Sequence, residues 1–394
     1  MSDVWIDIDL DAIEENYQEI TRHLSPGARL MAVVKADAYG LGAVQVSHAL
    51  RRLGCEAFAV TTVEEGLILR RHGLEGLILV LGPVSGEEMV QALEADLQLT
   101  ISDFLMLKEC QAVAANLGKE AQIHLKLETG MGRTGFLAKD WENLGQALKE
   151  APNLKPVGIF THFARAAQRD QSYTKMQYEA FQRGVKTLEQ QGFGGLWQHV
   201  CNSAAFLDYP QWHHDFVRIG TLLVGHFPSP AFAGKLKLKD PWTAKAKIVS
   251  LRQVPKGTYV GYQSLYKTKA DTQLAVIPVG YTHGFGVQPH LVPQGPVDFL
   301  KIVVKNFLAL CGVYVGQEKI LLKGHNVPVA GKIGMQLTVL DVGNLSCQVG
   351  DEVILPIRRT QASARLVRQY WSEKRLIAKR EIKEGFLQTY PECP

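Results

Sequence analysis

Lys35 stands at the end of the apolar run Leu30-Met31-Ala32-Val33-Val34, and the chain then turns through Gly40 and Gly42. A continuous apolar run closed by turn residues is the pattern of a strand buried on both faces, and in α/β proteins ligands sit beyond the carboxyl ends of such strands. An ammonium placed there loses hydration, so its pKa is expected to fall and the amine to serve as a nucleophile or base near neutral pH. Taken alone, Lys35 also reads as a side chain that snorkels out of a core strand to water. Other groups with chemistry in them follow later apolar runs. They are Tyr39 beside Lys35, Arg133 after Gly130-Met131-Gly132, His162, the pair Asn202-Ser203, and the stretch Arg218-Ile219-Gly220-Thr221.

The elements that must position these residues are legible as an alternation. Apolar runs lie at 30–34, 57–61, 77–81, 97–101, 123–127, 157–161, 197–200 and 216–220. Between them, segments such as 43–53, 63–72, 87–93 and 173–190 carry apolar residues at i, i+3 and i+4 with charges interleaved, the period of an amphipathic helix. A further helix is expected near 13–24, with Asp11 and Glu14 at capping-box spacing. Eight strand–helix repeats predict a (β/α)8 TIM barrel, in the α/β class, with its active site at the carboxyl ends of the strands; a doubly wound open sheet is the competing arrangement. In a barrel all the residues above share one rim. Loops after the seventh and eighth strands commonly build a phosphate site, a role that suits Ser203 and the amides of Gly220 and Thr221. A lysine opposite a phosphate site points to a phosphorylated aldehyde bound through the amine, namely pyridoxal 5'-phosphate.

At 394 residues the chain exceeds one ordinary core. The texture changes after Pro228-Ser229-Pro230, and the expected division is a barrel over 1–234, whose first few residues pack on the other domain, and a mainly β domain over 235–394. Strands are expected there at 274–279, 299–304, 308–315, 319–323, 337–342 and 352–357, and a basic, partly helical tail from Arg358 with Leu366 and Tyr370 on one face. A net charge of +4 without a basic block makes nucleic acid an unexpected partner. The N-terminus is acidic and lacks an apolar leader, and no stretch is long and apolar enough to span a bilayer, so a cytoplasmic protein without a membrane partner is expected. Cys55, Cys110, Cys201, Cys311, Cys347 and Cys393 form no Cys-x-x-Cys pair, which fits reduced thiols and no metal site.

Ala32-Val33-Val34-Lys35-Ala36-Asp37-Ala38-Tyr39-Gly40 resembles the cofactor-lysine motif of the alanine racemases. Thr129-Gly130-Met131-Gly132-Arg133, Thr161-His162-Phe163-Ala164, Asn202-Ser203-Ala204, Val217-Arg218-Ile219-Gly220, Val260-Gly261-Tyr262, Pro278-Val279-Gly280-Tyr281 and 329–335 follow in the family's order, so the resemblance covers about 5–357. It implies a pyridoxal-phosphate racemase with alanine as the usual substrate, working by two bases. Lys35 would serve the D-enantiomer and Tyr262 the L-enantiomer, with His162 and Arg218 lowering the tyrosine's pKa. By the same resemblance Arg218 faces the pyridine nitrogen, Arg133 holds the cofactor phenolate and the substrate carboxylate, the Met335 amide assists, Tyr39 binds phosphate and Tyr281 lines the entry. Lys126 takes a position that is carbamylated in many members, and a plain buried lysine is the alternative. A head-to-tail homodimer is implied, in which Tyr262 enters the partner's site.

Several positions depart from the family pattern. Gln336 replaces an aspartate, Val287 and Lys332 replace arginines, Ala167 replaces an acidic residue, and Thr221 stands where isoleucine is usual. The tail lacks the family's closing phosphate-binding tyrosine, with Tyr370 and Tyr390 as unaligned substitutes. These changes leave the alternatives of another or broader amino-acid substrate, or a non-catalytic cofactor-binding regulatory protein. A decarboxylase of similar architecture would place a carboxylate where Arg218 stands.

Overall fold

The computed structural model describes residues 3–287, 293, 295–310, 319–383 and 386–391. The chain forms two compact units, one of Asp9–Pro241 and one of Met1–Ile8 with Trp242–Pro394.

Strand β1 (Val4–Asp9) leads into α1 (Leu10–Thr21). The helix is capped by Asp9, whose carboxylate accepts from the Ala12 amide at 3.1 Å, rather than by the expected Asp11–Glu14 box. Asp9 wins because it has extended backbone, with φ −86° and ψ 104°, the conformation a capping residue needs. Eight parallel strands then alternate with helices: β2 (Arg29–Val33), a turn α2 (Lys35–Tyr39), α3 (Ala43–Arg52), β3 (Ala57–Val60), α4 (Val63–Arg71), β4 (Leu77–Val80), α5 (Gly86–Glu94), β5 (Gln98–Ile101), α6 (Phe104–Leu117), β6 (Ala121–Lys126), α7 (Trp141–Lys149), β7 (Leu154–Phe160), α8 (Ser172–Gln190), β8 (Trp197–His199), α9 (Ser203–Asp208) and β9 (Phe216–Ile219). Their order in the sheet is β8-β7-β6-β5-β4-β3-β2-β9. The two edge strands approach each other, with the Arg218 amide donating to Cys201 O at 2.9 Å and the Asp215 amide to Gln198 O at 3.2 Å. The result is the expected TIM-type barrel, nearly closed. Met31, Ala59, Leu79 and Phe216 form part of its core.

The second unit holds β10 (Trp242–Lys247), β11 (Ser250–Val254), β12 (Tyr259–Val260), β13 (Tyr266–Lys267), β14 (Thr272–Ile277), α10 (Pro296–Leu310), β15 (Leu321–Leu322), β16 (His325–Asn326), β17 (Thr338–Gly343), β18 (Glu352–Leu355), β19 (Val367–Ser372), β20 (Arg375–Lys383) and β21 (Phe386–Pro391). One sheet runs β16-β15-β18-β10-β1-β19-β20-β21, so the N-terminal strand is a central member, with Ile6 opposite Ala244.

Two expectations in this unit are overturned. The segments 299–304 and 308–310 are helix α10, not strand, while 311–315 lie outside the described residues. Pro296 opens that helix, Asp298 sits in its first turn, and Lys301 Nζ lies 3.6 Å from the Asp298 carboxylate at i, i+3. These helix-start signals outweigh the β-branched content of Ile302-Val303-Val304. Among the described residues of the tail there is no helix either. Glu373 and Lys374, with φ of 49° and 62°, make a tight left-handed turn that joins β19 to β20 as a hairpin. Tyr370 is fully buried on β19. Cys55, Cys110, Cys201 and Cys347 are free thiols; Cys311 and Cys393 lie outside the described residues.

Candidate active site

The barrel's carboxyl rim encloses a cavity of about 700 Å³. Its lining includes Lys35, Tyr39, Arg133, His162, Asn202, Ser203, Arg218, Gly220 and Thr221, all expected there, together with Lys126 and Ala167. Four cations line it, Lys35, Lys126, Arg133 and Arg218, and no carboxylate does among the described residues. A concave site lined by one sign of charge favours an anionic ligand. A larger cavity of about 750 Å³ opens at the other mouth, where Gln98, Gln122, Trp197 and Phe216 stand at strand starts. There Arg29 lies over the Trp197 and Phe216 rings, and among the described residues that line this mouth none is one of the rim residues expected from sequence.

Lys35 is placed by an unusual turn. Ala36, Asp37, Ala38 and Tyr39 all have left-handed backbone, with φ of 50°, 56°, 51° and 57°. L-residues resist this conformation by roughly 1–2 kcal/mol each, so the turn needs external support. Glu65 supplies it: one carboxylate oxygen accepts from the Ala36 amide at 2.6 Å and the other from the Thr61 amide at 2.7 Å. Asp37 Oδ1 accepts from the Ala43 amide at 2.9 Å, joining the turn to α3. Tyr39 is packed on Gly220, where an added Cβ would come within 2.1 Å of the phenolic oxygen. Burial pushes the Tyr39 phenol up to about 12, so it stays a neutral hydrogen-bond donor.

The loop bearing Arg133 is organised by Glu128. Its Oε1 accepts from the Gly130 and Met131 amides, both at 2.6 Å, and Oε2 from the Arg133 amide at 3.2 Å. Burial alone would raise the Glu128 pKa, but these loop amides bring it below the usual carboxylate range. Lys126 is buried and donates to Thr134 Oγ1 at 2.5 Å. Burial first, and then the Arg133 charge, lower its pKa to about 8.

Arg218 is a buried charge of the site. Its Nη1 donates to His199 Nδ1 at 2.9 Å and to His199 O, and its Nη2 donates to Thr161 O at 2.7 Å. His162 Nδ1 lies 3.4 Å from Nη2. Burial lowers Arg218 to about 10, still charged at neutral pH. Burial and then Arg218 push His162 down to about 3, so its ring is neutral. At the end of β8, Asn202 Oδ1 caps α9 by accepting from the Ala204 and Ala205 amides, and Ser203 Oγ accepts from the Gly220 amide at 3.4 Å.

Tyr262, Met335 and Tyr281 belong to the second unit, where Tyr262 is 75% and Met335 71% exposed. Their motifs converge there. The Tyr281 amide donates to Gly334 O at 3.1 Å, Thr282 Oγ1 donates to Met335 O at 2.9 Å, and Lys332 Nζ donates to Gln263 Oε1 at 2.6 Å. Gln263 and Ser264, directly after Tyr262, are left-handed at φ 62° and 52°. Val287 and Gln336 are exposed in the same unit.

Glu65, Glu128 and His199 were not singled out from sequence. Glu65 carries a legible signal, because Thr62 and Glu65 form the capping box of α4, but its reach to Ala36 is tertiary. His199 sits inside an apolar run and looks like a core residue.

A parallel barrel joined to a separate β unit, with a lysine after the first barrel strand and a buried arginine under the rim, defines a barrel protein whose rim cavity suits an anionic ligand. The family follows from comparison with known proteins. Residues 8–228 match the family described as alanine racemase, N-terminal domain, and residues 242–375 match alanine racemase, C-terminal domain. The chain is 36% identical to the alanine racemase of Desulforamulus reducens over 356 residues, covering 89% of both chains. It is 35% identical to that of Methanococcus maripaludis over 353 residues, covering 89% of this chain and 88% of that one. Among solved structures, the alanine racemase of Clostridium difficile 630 superposes with a TM-score of 0.84 at 28% identity, over 97% of this chain and 99% of that one. That of Bacillus anthracis with bound L-Ala-P superposes with a TM-score of 0.81 at 26% identity, over 96% and 97%. The chain belongs to the alanine racemase family.

Proposed function

We propose that the protein is a pyridoxal-phosphate-dependent racemase interconverting L- and D-alanine. The observation that carries this reading is the rim cavity with four cations, no carboxylate among its described lining residues, and Lys35 at the end of the first barrel strand. That donor set fits the cofactor: Ser203, Tyr39 and the amides of Gly220 and Thr221 would hold its phosphate, Asn202 and His162 would border its ring, and Arg133 would take its phenolate. Arg218 would face its ring nitrogen, where a guanidinium keeps the nitrogen unprotonated. When bound, the cofactor supplies an electron sink for negative charge at Cα.

The residues divide the remaining work. Lys35 Nζ takes or returns the Cα proton of the D-enantiomer, and Tyr262 Oη does so for the L-enantiomer. Arg133 and the Met335 amide orient the substrate carboxylate. The reading includes a head-to-tail homodimer in the cytoplasm, with Tyr262 of one protomer serving its partner's cavity. Its test is conversion of L-alanine to D-alanine by the purified protein, followed by chiral chromatography, with a panel of L-amino acids tested for α-proton exchange in heavy water. D-alanine formation dependent on both Lys35 and Tyr262 is expected. Ala167 on the cavity wall, where an acidic residue is usual, favours a broader substrate set as the second reading. Exchange with larger amino acids and little with alanine would replace the first reading with it.

A further inference from the structure

We infer that Gln98 and His124 are positioning residues for Arg218, acting by fixing which ring nitrogen of His199 carries the proton. The consequence for turnover rests on the racemase reading above; the geometry does not. Arg218 Nη1 is a donor only and lies 2.9 Å from His199 Nδ1, so that nitrogen must be bare. The His199 proton then sits on Nε2, 2.8 Å from His124 Nδ1. His124 Nδ1 must accept, so its own proton sits on Nε2, 2.8 Å from Gln98 Oε1. With its oxygen so engaged, Gln98 donates through Nε2 to Gln122 Oε1 at 2.5 Å.

Every link runs one way, from the site toward the opposite mouth of the barrel, where Gln122 reaches solvent. His124 and His199 are fully buried and Gln98 is 9% exposed. Reversing the His199–His124 or the His124–Gln98 link sets two donors or two lone pairs against each other away from water. The barrel wall is cut to admit the column, since a Cβ on Gly158 would come within 2.1 Å of His124 Nδ1. With the column intact, Arg218 has three acceptors, His199 Nδ1, His199 O and Thr161 O. Without Gln98 to accept from His124 Nε2–H, only the Arg218 end holds the column in this tautomer, and part of the His124 population moves its proton to Nδ1. His199 then loses its acceptor and Arg218 the ring nitrogen that holds it.

Long-range 1H–15N correlation spectra of the 15N-histidine holoenzyme test this directly. Both His124 and His199 should be neutral and protonated on Nε2 between pH 6 and 9. Gln98→Leu should convert His124 to a mixture of tautomers and lower kcat on the order of tenfold, with KM within about twofold, as when the outer partner that orients a working group is lost. Gln98→Glu, which keeps an acceptor facing His124, should restore both readouts. A His199 proton on Nδ1 in the unaltered protein overturns the inference even where Gln98→Leu fails to fold. So does a Gln98→Leu spectrum unchanged from the parent, or a Gln98→Glu variant no better than Gln98→Leu. If the protein does not racemise alanine, the spectra still decide the column, so the two readings fail separately.

Discussion

Lys126 changes protonation close to neutral pH. Burial and the Arg133 charge bring it to about 8, so its neutral share grows as pH rises through that value. A neutral amine adds to carbon dioxide and an ammonium does not. In 13C-bicarbonate a carbamate resonance should therefore appear and grow from pH 7 to 9, and should be missing in Lys126→Met; a spectrum without it leaves a plain buried lysine. The buried histidines give a second expectation of opposite practical range. Burial, then Arg218, hold His124 and His162 down to about 3, and His199 is lowered well below its ordinary value; burial lowers His213 and His214 too. These groups titrate lower in the folded barrel than the 6.5 usual when unfolded, so the stability they contribute is complete above that pH and is lost as pH falls, down to about 3 for His124 and His162. Each adds a slope of up to about 1.4 kcal/mol per pH unit. Urea midpoints should already fall between pH 6.5 and 5, before carboxylates titrate, and a flat profile there would mean that these rings are charged when folded.

At the scale of the element, the turn after Lys35 is the costly piece. Four left-handed residues in succession are held in part by Glu65, which projects from the first turn of α4 and binds the Ala36 amide while it caps its own helix. Glu65→Ala should cost roughly 1–3 kcal/mol, the penalty of leaving such amides unpaired. It should also weaken cofactor binding more than Glu64→Ala, a neighbouring change on the same helix, as measured by dialysis and absorbance. Equal affinity in the two variants would mean that the turn holds itself. This contact marks the limit of what the chain discloses in one dimension. Lys35, His162 and Arg218 were legible because each ends or interrupts an apolar run, and strand ends define the rim. Glu65 was legible only as a cap, and His199 and His124 only as core residues, because their partners come from strands far away in sequence. The misread segments failed for a local reason. In 299–304 the β-branched side chains favour strand, and Pro296 and Asp298 ahead of them decide for helix; in the tail, the left-handed Glu373-Lys374 pair carries no glycine to announce the hairpin.

At the scale of the molecule, the two proposed bases lie in different units. Lys35 belongs to the barrel and Tyr262, heavily exposed at a left-handed turn, to the β unit. A head-to-tail dimer would draw each working pair from two chains, and that arrangement has an arithmetic signature. Lys35→Ala and Tyr262→Phe should each abolish racemisation alone. Co-expressed at equal levels, they should pair at random, and half of the dimers would contain one chain of each kind. In such a dimer one cavity lacks both bases, while the other has Lys35 from the Tyr262→Phe chain and Tyr262 from the Lys35→Ala chain. One working site of two, in half of the dimers, restores about a quarter of the parent activity. If the bases of one site come from a single chain, every cavity in the mixture lacks one of them and activity stays at the level of the single variants. The two outcomes differ by the full restored quarter, so a racemisation assay on the co-purified mixture, with the composition read by mass spectrometry, decides which chain each tyrosine serves.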